Sequence, residues 1–559
     1  MAPWFLSIFN TLKDGASLME NTVYQRFAKS ALNNPHLPFL CYPSSPTRDY
    51  YPEGKEFSYG NILTIVDNLA LRYLESGYSE GHRIALLAGN RAEHFFHLLA
   101  LNRIGAAVVT LNPEYLSHEL AYGISFPECS LVATVSPWID KVKNEAESLL
   151  PTVGVIDVLN LPDKFPSPAH PPIKVPTEEL DRPALIIYTS GTTGRPKGCI
   201  ISNRSCLAAG DSYADAGGLL QFHAGVERLY IPLPAFHMNV SIYTLNSMTK
   251  LNSCIILQEK FSASTWWADI IETKATCFHY MGIIPPLLVK AAASEDDRRH
   301  NVKFGQGAGV DPLVREQFEE RFGVPLVEAW GMTETSRAIQ NCGIPRCLAP
   351  RAFGRPRLPL EVLVVDDDDK ALPFNSPGEL LIRAVGSDPR AGFFSGYLNL
   401  PEQTEDAWKG GWFHTGDVVS QREDGMLFFV DRRKNIIRRS GENIAATEIE
   451  EALIMSLAVQ SVAALSVADE FHDEEVMVCV VLMPEYKSCK EVAESIMSDM
   501  KNLLAGFKLP AWMVFVESLP TTGTQKIQKN LIFPDGEDPR KDPRSYDVRL
   551  VKRRLRKEE

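Results

Sequence analysis

One loop in the sequence carries the residue types that hold phosphate groups. Residues 188–198 read YTSGTTGRPKG and follow the apolar run at 184–187, which predicts a buried strand. Three glycines let backbone N–H groups turn toward an anion, and the hydroxyls and the lysine add further donors. The order G-x-x-x-x-G-K-[ST] is absent, so this is not a Walker A loop. A plain polar hairpin is the alternative, because Gly and Pro are common in turns.

Four further segments follow in the C-terminal direction: GMTE at 331–334, GWFHTGD at 411–417, DRRK at 431–434 and TQKI at 524–527. With the first loop, they stand in the order typical of the acyl-adenylate-forming superfamily. This superfamily contains acyl-CoA synthetases, adenylation domains of peptide synthetases and beetle luciferases. The resemblance runs from near Tyr59 to Lys529. The strings TGTQKIQK and RSGENI look closest to crotonobetaine/carnitine-CoA-ligase-like synthetases.

The resemblance implies how the phosphates of ATP would be held. Thr333 would donate to the α-phosphate, and Glu334 would bind Mg²⁺, which favours carboxylate oxygen. A Thr-Glu pair by itself is more often found at a helix N-terminus. The groups that would hold the β- and γ-phosphates are Thr189, Ser190, Gly191, Thr192, Thr193, Gly194 and Lys197.

The nucleoside would be bound by residues from three other segments. Trp330, which precedes Gly331, stands where the family usually has tyrosine, and either ring can stack on adenine. The small residues Gly307, Ala308 and Gly309 would lie against the other face of the purine. Asp417 would accept hydrogen bonds from the ribose hydroxyls, assisted by Arg432. The alternative for Asp417 is a structural ion pair with a neighbouring base.

Lys526 matches the family lysine that stabilises the negative charge developing during adenylation. Its context departs from the common form, because Gln525 replaces a usual glycine and Thr521 a frequent lysine. Outside the family, a lysine in such a loop is usually solvated.

The second half-reaction is implied by a predicted hinge at Lys434. In the family, the small domain turns about this position after adenylation. Ser440, Gly441 and Glu442 would then leave a narrow passage for the pantetheine arm of CoA. His237, in the string PLPAFH, matches an acyl-pocket position of CoA ligases. The alternative for His237 is a buried core histidine.

Composition limits the class of protein. A chain of 559 residues exceeds one hydrophobic core and predicts at least two domains. The net charge of −13 argues against nucleic-acid binding. Ten cysteines without a C-x-x-C pair, no apolar run long enough to span a membrane and no signal peptide predict a cytoplasmic protein. The basic run at 552–557 is expected to be a solvated tail rather than an anchor for membranes or nucleic acid.

Strands alternate with helices from residue 55 to about 135, which predicts a mostly parallel sheet. We predict an α/β fold whose large N-terminal domain, 1–433, has layered sheets with helices and an antiparallel-strand subdomain at about 350–433. A mobile α+β domain, 434–559, would follow. Predicted helices include 59–76, 92–103, 115–122 and 492–505, and a buried strand is predicted at 83–87. The four aspartates at 366–369 are expected to form a solvated turn rather than a cation site.

The predicted function is an ATP-dependent, AMP-forming carboxylate:CoA ligase that acts in two steps. It would need ATP, Mg²⁺ and CoA as co-substrate. An adenylation enzyme that loads a carrier protein is the second enzyme hypothesis, although no carrier-like domain follows in the sequence. A catalytically silent, ligase-like binding module is the third, and the presence of Lys526, Glu334 and Asp417 argues against it. The identity of the acid is not encoded in any motif.

Overall fold

The computed structural model of the protein describes residues 20–189, 196–432, 435–439, 442–468, 474–501, 503–504, 506–521, 527–533 and 537–557. The chain divides into two compact units. The first contains Met1–Glu361 and Arg383–Trp412, and the second contains Val362–Ile382 and Phe413–Glu559.

The strands are numbered in chain order. Strands β1 to β13 are Pro38–Tyr42, Lys55–Ser58, Arg83–Leu87, Ala107–Thr110, Leu131–Thr134, Gly154–Asp157, Pro183–Thr189, Lys197–Ser202, Arg228–Ile231, Cys254–Leu257, Cys277–Met281, Phe304–Ala308 and Leu326–Gly331. Strands β14 to β26 are Ala338–Gln340, Ala352–Gly354, Leu360–Val365, Gly378–Ala384, Gly396–Tyr397, Phe413–Gln421, Leu427–Arg432, Ile436–Arg439, Glu442–Ala445, Val459–Ala468, Glu474–Leu482, Trp512–Phe515 and Ser545–Asp547.

The α-helices are numbered in the same way. Helices α1 to α7 are Val23–Asn33, Tyr59–Glu75, Ala92–Arg103, Ser117–Ser125, Ile139–Glu147, Asn203–Ala214 and Leu245–Lys250. Helices α8 to α14 are Trp266–Glu272, Ile284–Lys290, Pro312–Phe322, Pro401–Ala407, Ala446–Ile454, Lys490–Asp499 and Arg549–Lys557. A π-helical turn, Asn239–Thr244, leads directly into α7.

Two mixed, mostly parallel sheets form the first unit. One has the order β14-β13-β12-β11-β9-β10-β1-β2, and the other has the order β18-β8-β7-β4-β3-β5-β6. Their central strands are buried along nearly their whole length, as expected where helices cover both faces of a sheet. Local signals set the helix boundaries. Ser58 and Asn61 form a capping box at the start of α2, and Gly323, with φ of +72°, ends α10.

The second unit is built around antiparallel strands. Strands β20-β19-β17-β16 lie side by side in that order, β21 and β22 form a hairpin, and β23-β24-β25-β26 form a four-stranded sheet. Helices α12, α13 and α14 pack their apolar residues on this last sheet. The predicted fold class is therefore confirmed, whereas the boundary and hinge at Lys434 stay predictions.

The predicted boundaries of two helices and the predicted environment of one segment were wrong. The helix predicted at 115–122 spans Ser117–Ser125, because a turn that starts at Asn112 precedes it. The side-chain oxygen of Asn112 accepts the N–H of Glu114, and its carbonyl oxygen accepts the N–H of Tyr115. The helix predicted at 492–505 spans Lys490–Asp499. The basic C-terminal run is not a solvated tail, since Lys552 and Leu555, which belong to it, are buried.

The aspartates at 366–369 form a turn, as predicted. A carboxylate oxygen of Asp366 accepts the N–H groups of Asp368 and Lys370, at 2.9 and 3.0 Å. Within the described part of the chain, no helix has both the length and the apolar character needed to cross a membrane.

Candidate active site

The predicted phosphate loop is carried by two adjacent antiparallel strands. Strands β7 and β8 pair in register from Leu185 with Ile201 to Thr189 with Lys197. Thr189 and Lys197 therefore lie opposite each other at the ends of the two strands. The other residues predicted to hold the phosphates, Ser190, Gly191, Thr192, Thr193 and Gly194, lie outside the described residues, as do Lys434, Ser440, Gly441 and Lys526.

Lys197 and Glu334 contact the same side chain, Tyr397. The ammonium group of Lys197 lies over the Tyr397 ring, 4.7 Å from its centroid, and the phenol donates to Oε1 of Glu334 at 3.0 Å. Glu334 is only 6% exposed, and its carbonyl oxygen accepts the N–H of Phe394 at 2.9 Å. The structure thus brings together the cation predicted for phosphate and the carboxylate predicted for Mg²⁺.

Tyr397 is a residue that sequence reasoning missed. It belongs to the two-residue strand β18, which pairs with β8 at Cys199 and so lies beside the start of that strand. Burial, followed by the nearby Glu334 carboxylate, raises the pKa of Tyr397. The phenol therefore stays protonated at neutral pH and can act as a donor. Only the pairing of two distant strands reveals this residue.

Thr333 and Glu334 lie in a tight turn between β13 and β14. The hydroxyl of Thr335 donates to the carbonyl oxygen of Met332 at 3.0 Å and accepts its N–H at 3.3 Å. Ser336 has φ of +55°, a conformation that side chains rarely adopt. The turn therefore holds Thr333 and Glu334 in a fixed backbone geometry at the end of a buried strand.

The predicted adenine-binding segment runs along β12 and into the loop after it. Any side chain at Gly307 would meet the carbonyl oxygen of Tyr280 at 2.3 Å, so this position requires glycine. Gly309 has φ of +80°, where glycine is also favoured. Trp330, on the adjacent strand β13, is 7% exposed and packs against Phe353 with ring centroids 6.0 Å apart. The segment thus carries no side chain larger than a methyl group, and its contact with a purine stays a prediction.

Glu328 holds the backbone of this segment, and sequence reasoning missed it. Its carboxylate accepts the N–H groups of Gly309 and Val310, at 2.9 and 3.2 Å, and the hydroxyl of Tyr280 at 2.9 Å. Burial raises the pKa of Glu328, although these three hydrogen bonds oppose the shift. A carboxylate two residues before a Trp-Gly pair has no distinctive pattern in the sequence.

His237 ends a loop that is fixed through its backbone. Asn90 donates to the carbonyl oxygens of Leu233 and Gln258, at 3.0 and 2.8 Å, and accepts the N–H of Ala235 at 2.7 Å. Thr110 donates to the carbonyl oxygen of Phe236 at 2.8 Å. His237 itself is half-buried and stands just before the π-helical turn. The sequence did not indicate that Asn90 would organise this loop.

In the second unit, Asp417 and Arg432 are directly opposite each other on β19 and β20. Nε of Arg432 lies 2.8 Å from Oδ1 of Asp417, and the Asp417 side chain is 2% exposed whereas that of Arg432 is 41% exposed. The structure therefore contains the ion pair that was the alternative reading of Asp417. It also pairs the two residues predicted to bind the ribose.

Asp431, next to Arg432, links strand β20 to helix α12. Its carboxylate accepts the N–H of Thr447 at 2.9 Å and the side-chain amide of Asn435 at 3.2 Å. Asp431 is 1% exposed. The Asp431 side chain thus binds the backbone of a residue on the other side of the predicted hinge position in the sequence.

The second unit contains a half-buried ion pair and a buried carboxylate that pairs with two cations. Glu450 of α12 lies 2.7 Å from Lys529, three residues after Lys526 in the sequence. Glu475 binds both Arg439 of β21 and Lys552 of α14, at 2.8 and 3.0 Å. The ion pair with Glu475 explains how Lys552 can be only 3% exposed.

The fold and the clustered charged residues are those of an α/β enzyme. Sequence models of two family regions match the chain: the AMP-binding enzyme over residues 27–398 and the AMP-binding enzyme C-terminal domain over 448–526. The chain belongs to the AMP-binding enzyme family, and the predicted membership of the acyl-adenylate-forming superfamily is confirmed.

Relatives and solved structures agree with this assignment. A crotonobetaine/carnitine–CoA ligase from Proteus mirabilis is 28% identical over 85% of this chain and 92% of its own length. The corresponding protein of Salmonella agona is 30% identical over 85% and 93%. The predicted enzyme class, an AMP-forming acid–thiol ligase, agrees with the names of these relatives.

Among solved structures, ATP-bound MatB from Rhodopseudomonas palustris has a TM-score of 0.76 at 22% identity and covers 92% of this chain and 98% of its own. The O-succinylbenzoate coenzyme A synthetase MenE from Bacillus subtilis, in complex with ATP and magnesium, has a TM-score of 0.76 at 22% identity over 90% and 98%. At these identities the likeness concerns the fold.

Proposed function

We propose that this protein joins a carboxylic acid to CoA in two steps, with ATP cleaved to AMP and pyrophosphate. The observation that carries the proposal is the meeting of Lys197 and Glu334 on Tyr397. To bind magnesium-bound ATP, a protein needs a cation for the phosphates and a carboxylate for the metal. Lys197 and the buried Glu334 are groups of these two kinds. The names of the relatives, which are CoA ligases, support the same reaction.

In the first step, a carboxylate oxygen of the acid attacks the α-phosphorus of ATP, and pyrophosphate leaves. Lys197 and the phosphate loop would hold the leaving phosphates, and Thr333 would donate to the α-phosphate. Glu334 fits Mg²⁺ because it offers carboxylate oxygens, one of which accepts the phenol of Tyr397. When bound, the metal would neutralise phosphate charge. Lys526 would stabilise the charge that develops during the attack.

The nucleoside would be held by separate groups. Gly307, Ala308 and Gly309 leave the backbone bare for the purine, and Trp330 would stack on it. Asp417 would accept the ribose hydroxyls with Arg432 beside it. In the second step, the thiol of CoA attacks the acyl carbon and AMP leaves. The pantetheine arm of CoA would enter through the passage formed by Ser440, Gly441 and Glu442. His237 would line the acyl pocket.

The decisive experiment measures pyrophosphate release with a panel of carboxylic acids, with and without CoA. The proposal expects acid-dependent release that needs CoA for sustained turnover, together with an acyl-CoA product. Release that is sustained by a carrier protein but not by CoA would favour a carrier-loading enzyme. No release with any acid would favour a ligase-like binding module.

The role of Lys526 is tested by separating the two half-reactions. Lys526→Ala is expected to slow adenylation by ~10²–10³-fold, because it removes a charge that stabilises the transition state. The variant should still convert supplied acyl-adenylate and CoA to the thioester. Lys529→Ala is the matched control on the same segment, and it should not separate the two half-reactions. Equal loss of both half-reactions in Lys526→Ala would contradict the assigned role.

A further inference from the structure

An apolar groove opens on the surface of the second unit, near the start of strand β23. The loop that joins α12 to β23 and the helix α13 form its walls, and its volume is about 380 Å³. The residues that line it are Met455, Ser456, Leu457, Ala458, Tyr486, Ser495, Asp499 and Leu503. Of these described residues, only Asp499 carries a charge. The groove therefore offers a mostly uncharged surface to whatever covers it.

The large side chains that line this groove are strongly exposed. Leu457 is 84% exposed, Leu503 53%, Met455 47% and Tyr486 36%. Together they expose on the order of 400 Å² of mostly apolar surface, which is a patch size that marks interaction sites on soluble proteins. Aromatic residues and methionine are enriched at protein interfaces, whereas charged residues are depleted at the interface core. This face therefore has the composition of an interface core.

The loop that carries Leu457 is held in place by its neighbours. The hydroxyl of Ser456 donates to Oδ2 of Asp499 at 2.6 Å, which ties the loop to helix α13. The carbonyl oxygen of Ala458 accepts the N–H of Met483 at 2.9 Å. Leu457 thus extends into solvent from a fixed backbone. Little conformational freedom would be lost when a partner covers its side chain.

An exposed leucine and an apolar groove on the same face make that face complementary to itself. In a contact with twofold symmetry both copies present the same surface, so the leucine of one copy meets the groove of the other. With the flanking atoms included, such a contact would bury on the order of 1,000 Å² in total, which is the lower limit for a specific interface. The chain has a net charge of −13, so two copies associate most readily through a patch with few charges.

We propose that two copies of this chain associate through this groove, with Leu457 of each copy inserted into the groove of the other. The test measures the mass of the full chain by sedimentation velocity over a range of protein concentrations, without ATP or acid. We expect a species with twice the chain mass of 62.3 kDa. Because the interface is at the lower limit of size, its Kd should be on the order of micromolar.

Replacement of the exposed leucines should weaken the association. Leu457→Asp should raise Kd by ~30-fold or more, because it puts a charge in place of the central apolar anchor. Leu503→Asp should raise Kd in the same way. Both side chains are exposed in the single copy, so neither change should disturb the fold, and circular dichroism and Tm check this.

The matched control is Leu550→Asp. Leu550 belongs to the same unit and is 77% exposed, but it does not line the groove. This variant adds the same charge at a similarly exposed leucine, and it should keep the wild-type Kd.

Three results would overturn the inference. One is a wild-type protein that stays monomeric at every concentration, which would leave the groove to a different occupant, such as a segment of another protein. The second is an unchanged Kd in both Leu457→Asp and Leu503→Asp. The third is an equal rise of Kd in Leu550→Asp, which would attribute the effect to added charge rather than to this face. None of these measurements involves catalysis, so their outcome is separate from that of the proposed ligase function.

Discussion

Replacement of Tyr397 by phenylalanine isolates one contact of the candidate site. The change removes the hydroxyl that donates to Glu334 at 3.0 Å and leaves the ring on which the Lys197 ammonium lies. The Glu334 carboxylate then loses the hydrogen bond from this phenol. We expect Mg²⁺-dependent adenylation to weaken, because the predicted metal-binding carboxylate loses its support.

The expected magnitude follows from the burial of the pair. A hydrogen bond to a charged group contributes about 1.5–3 kcal/mol, and Glu334 is 6% exposed, so solvent does not replace the lost donor well. Each 1.36 kcal/mol corresponds to a factor of ten in rate. The variant should therefore lose about 10- to 150-fold in kcat/KM for pyrophosphate release. The cation–π contact, about 0.5–2 kcal/mol, should persist.

The assay titrates Mg²⁺ at saturating ATP and acid and follows pyrophosphate release. Tyr397→Phe should need more Mg²⁺ for half-maximal rate. Tyr24→Phe is the matched control, because Tyr24 also donates its phenol to a carboxylate, that of Asp67, at 2.7 Å. If Tyr397→Phe has the same Mg²⁺ dependence and kcat/KM as Tyr24→Phe, Tyr397 does not support Glu334 and the reasoning is refuted.

Two further predictions concern stability and the acyl loop. Burial lowers the pKa of His97 and His279 to about 3 and that of His94 to about 4, so the folded state keeps all three neutral. The unfolded chain binds protons below about pH 6.5, so each histidine should reduce the free energy of unfolding by about 1.4 kcal/mol per pH unit as pH falls from 6.5 toward the folded pKa. Urea titrations at pH 7 and 5.5 should show this loss, and His97→Gln should reduce it by the contribution of one histidine, about 1.4 kcal/mol per pH unit. An equal loss in the variant would contradict the assignment. Asn90→Asp should raise KM for the acid by ~10-fold while changing KM for ATP little, because a carboxylate would face the carbonyl oxygens of Leu233 and Gln258 and loosen the His237 loop. The control is Asn102→Asp, at a buried asparagine that contacts Tyr24 and Asn203. A similar change in KM for the acid in both variants would refute a specific role of Asn90.

The sequence predicted those parts of the fold that local pattern controls. The helix Ala92–Arg103 and the strand Arg83–Leu87 have the predicted ends, because apolar periodicity and nearby turn residues determine them. The basic C-terminal run was read wrongly. The burial of its Lys552 depends on Glu475, which lies on strand β24 and offers a carboxylate to the lysine. Charge counted along the chain does not show which partner meets it in space.

The residues of the candidate site also differ in whether a local sequence pattern can predict them. Thr333, Glu334 and Asp417 were predicted as site residues because they belong to strings that resemble a family, and their roles stay predictions. Tyr397 and Glu328 were not, since each acts through one contact with a residue distant in sequence. Such positioning residues have no spacing rule, because their partners are set by strand pairing and packing. Glu328, for example, reaches Gly309 only because β12 and β13 run side by side.

The arrangement of Lys197, Tyr397 and Glu334 also answers a requirement of the chemistry. A site for magnesium-bound ATP needs a cation for the phosphates and a carboxylate for the metal, but the two would neutralise each other in a direct ion pair. Tyr397 contacts the ammonium with its ring face and the carboxylate with its hydroxyl. The neutral Tyr397 side chain thus contacts both charged groups without forming an ion pair with either. We infer that this tyrosine keeps both groups available for the nucleotide, which a smaller side chain at the same position could not do.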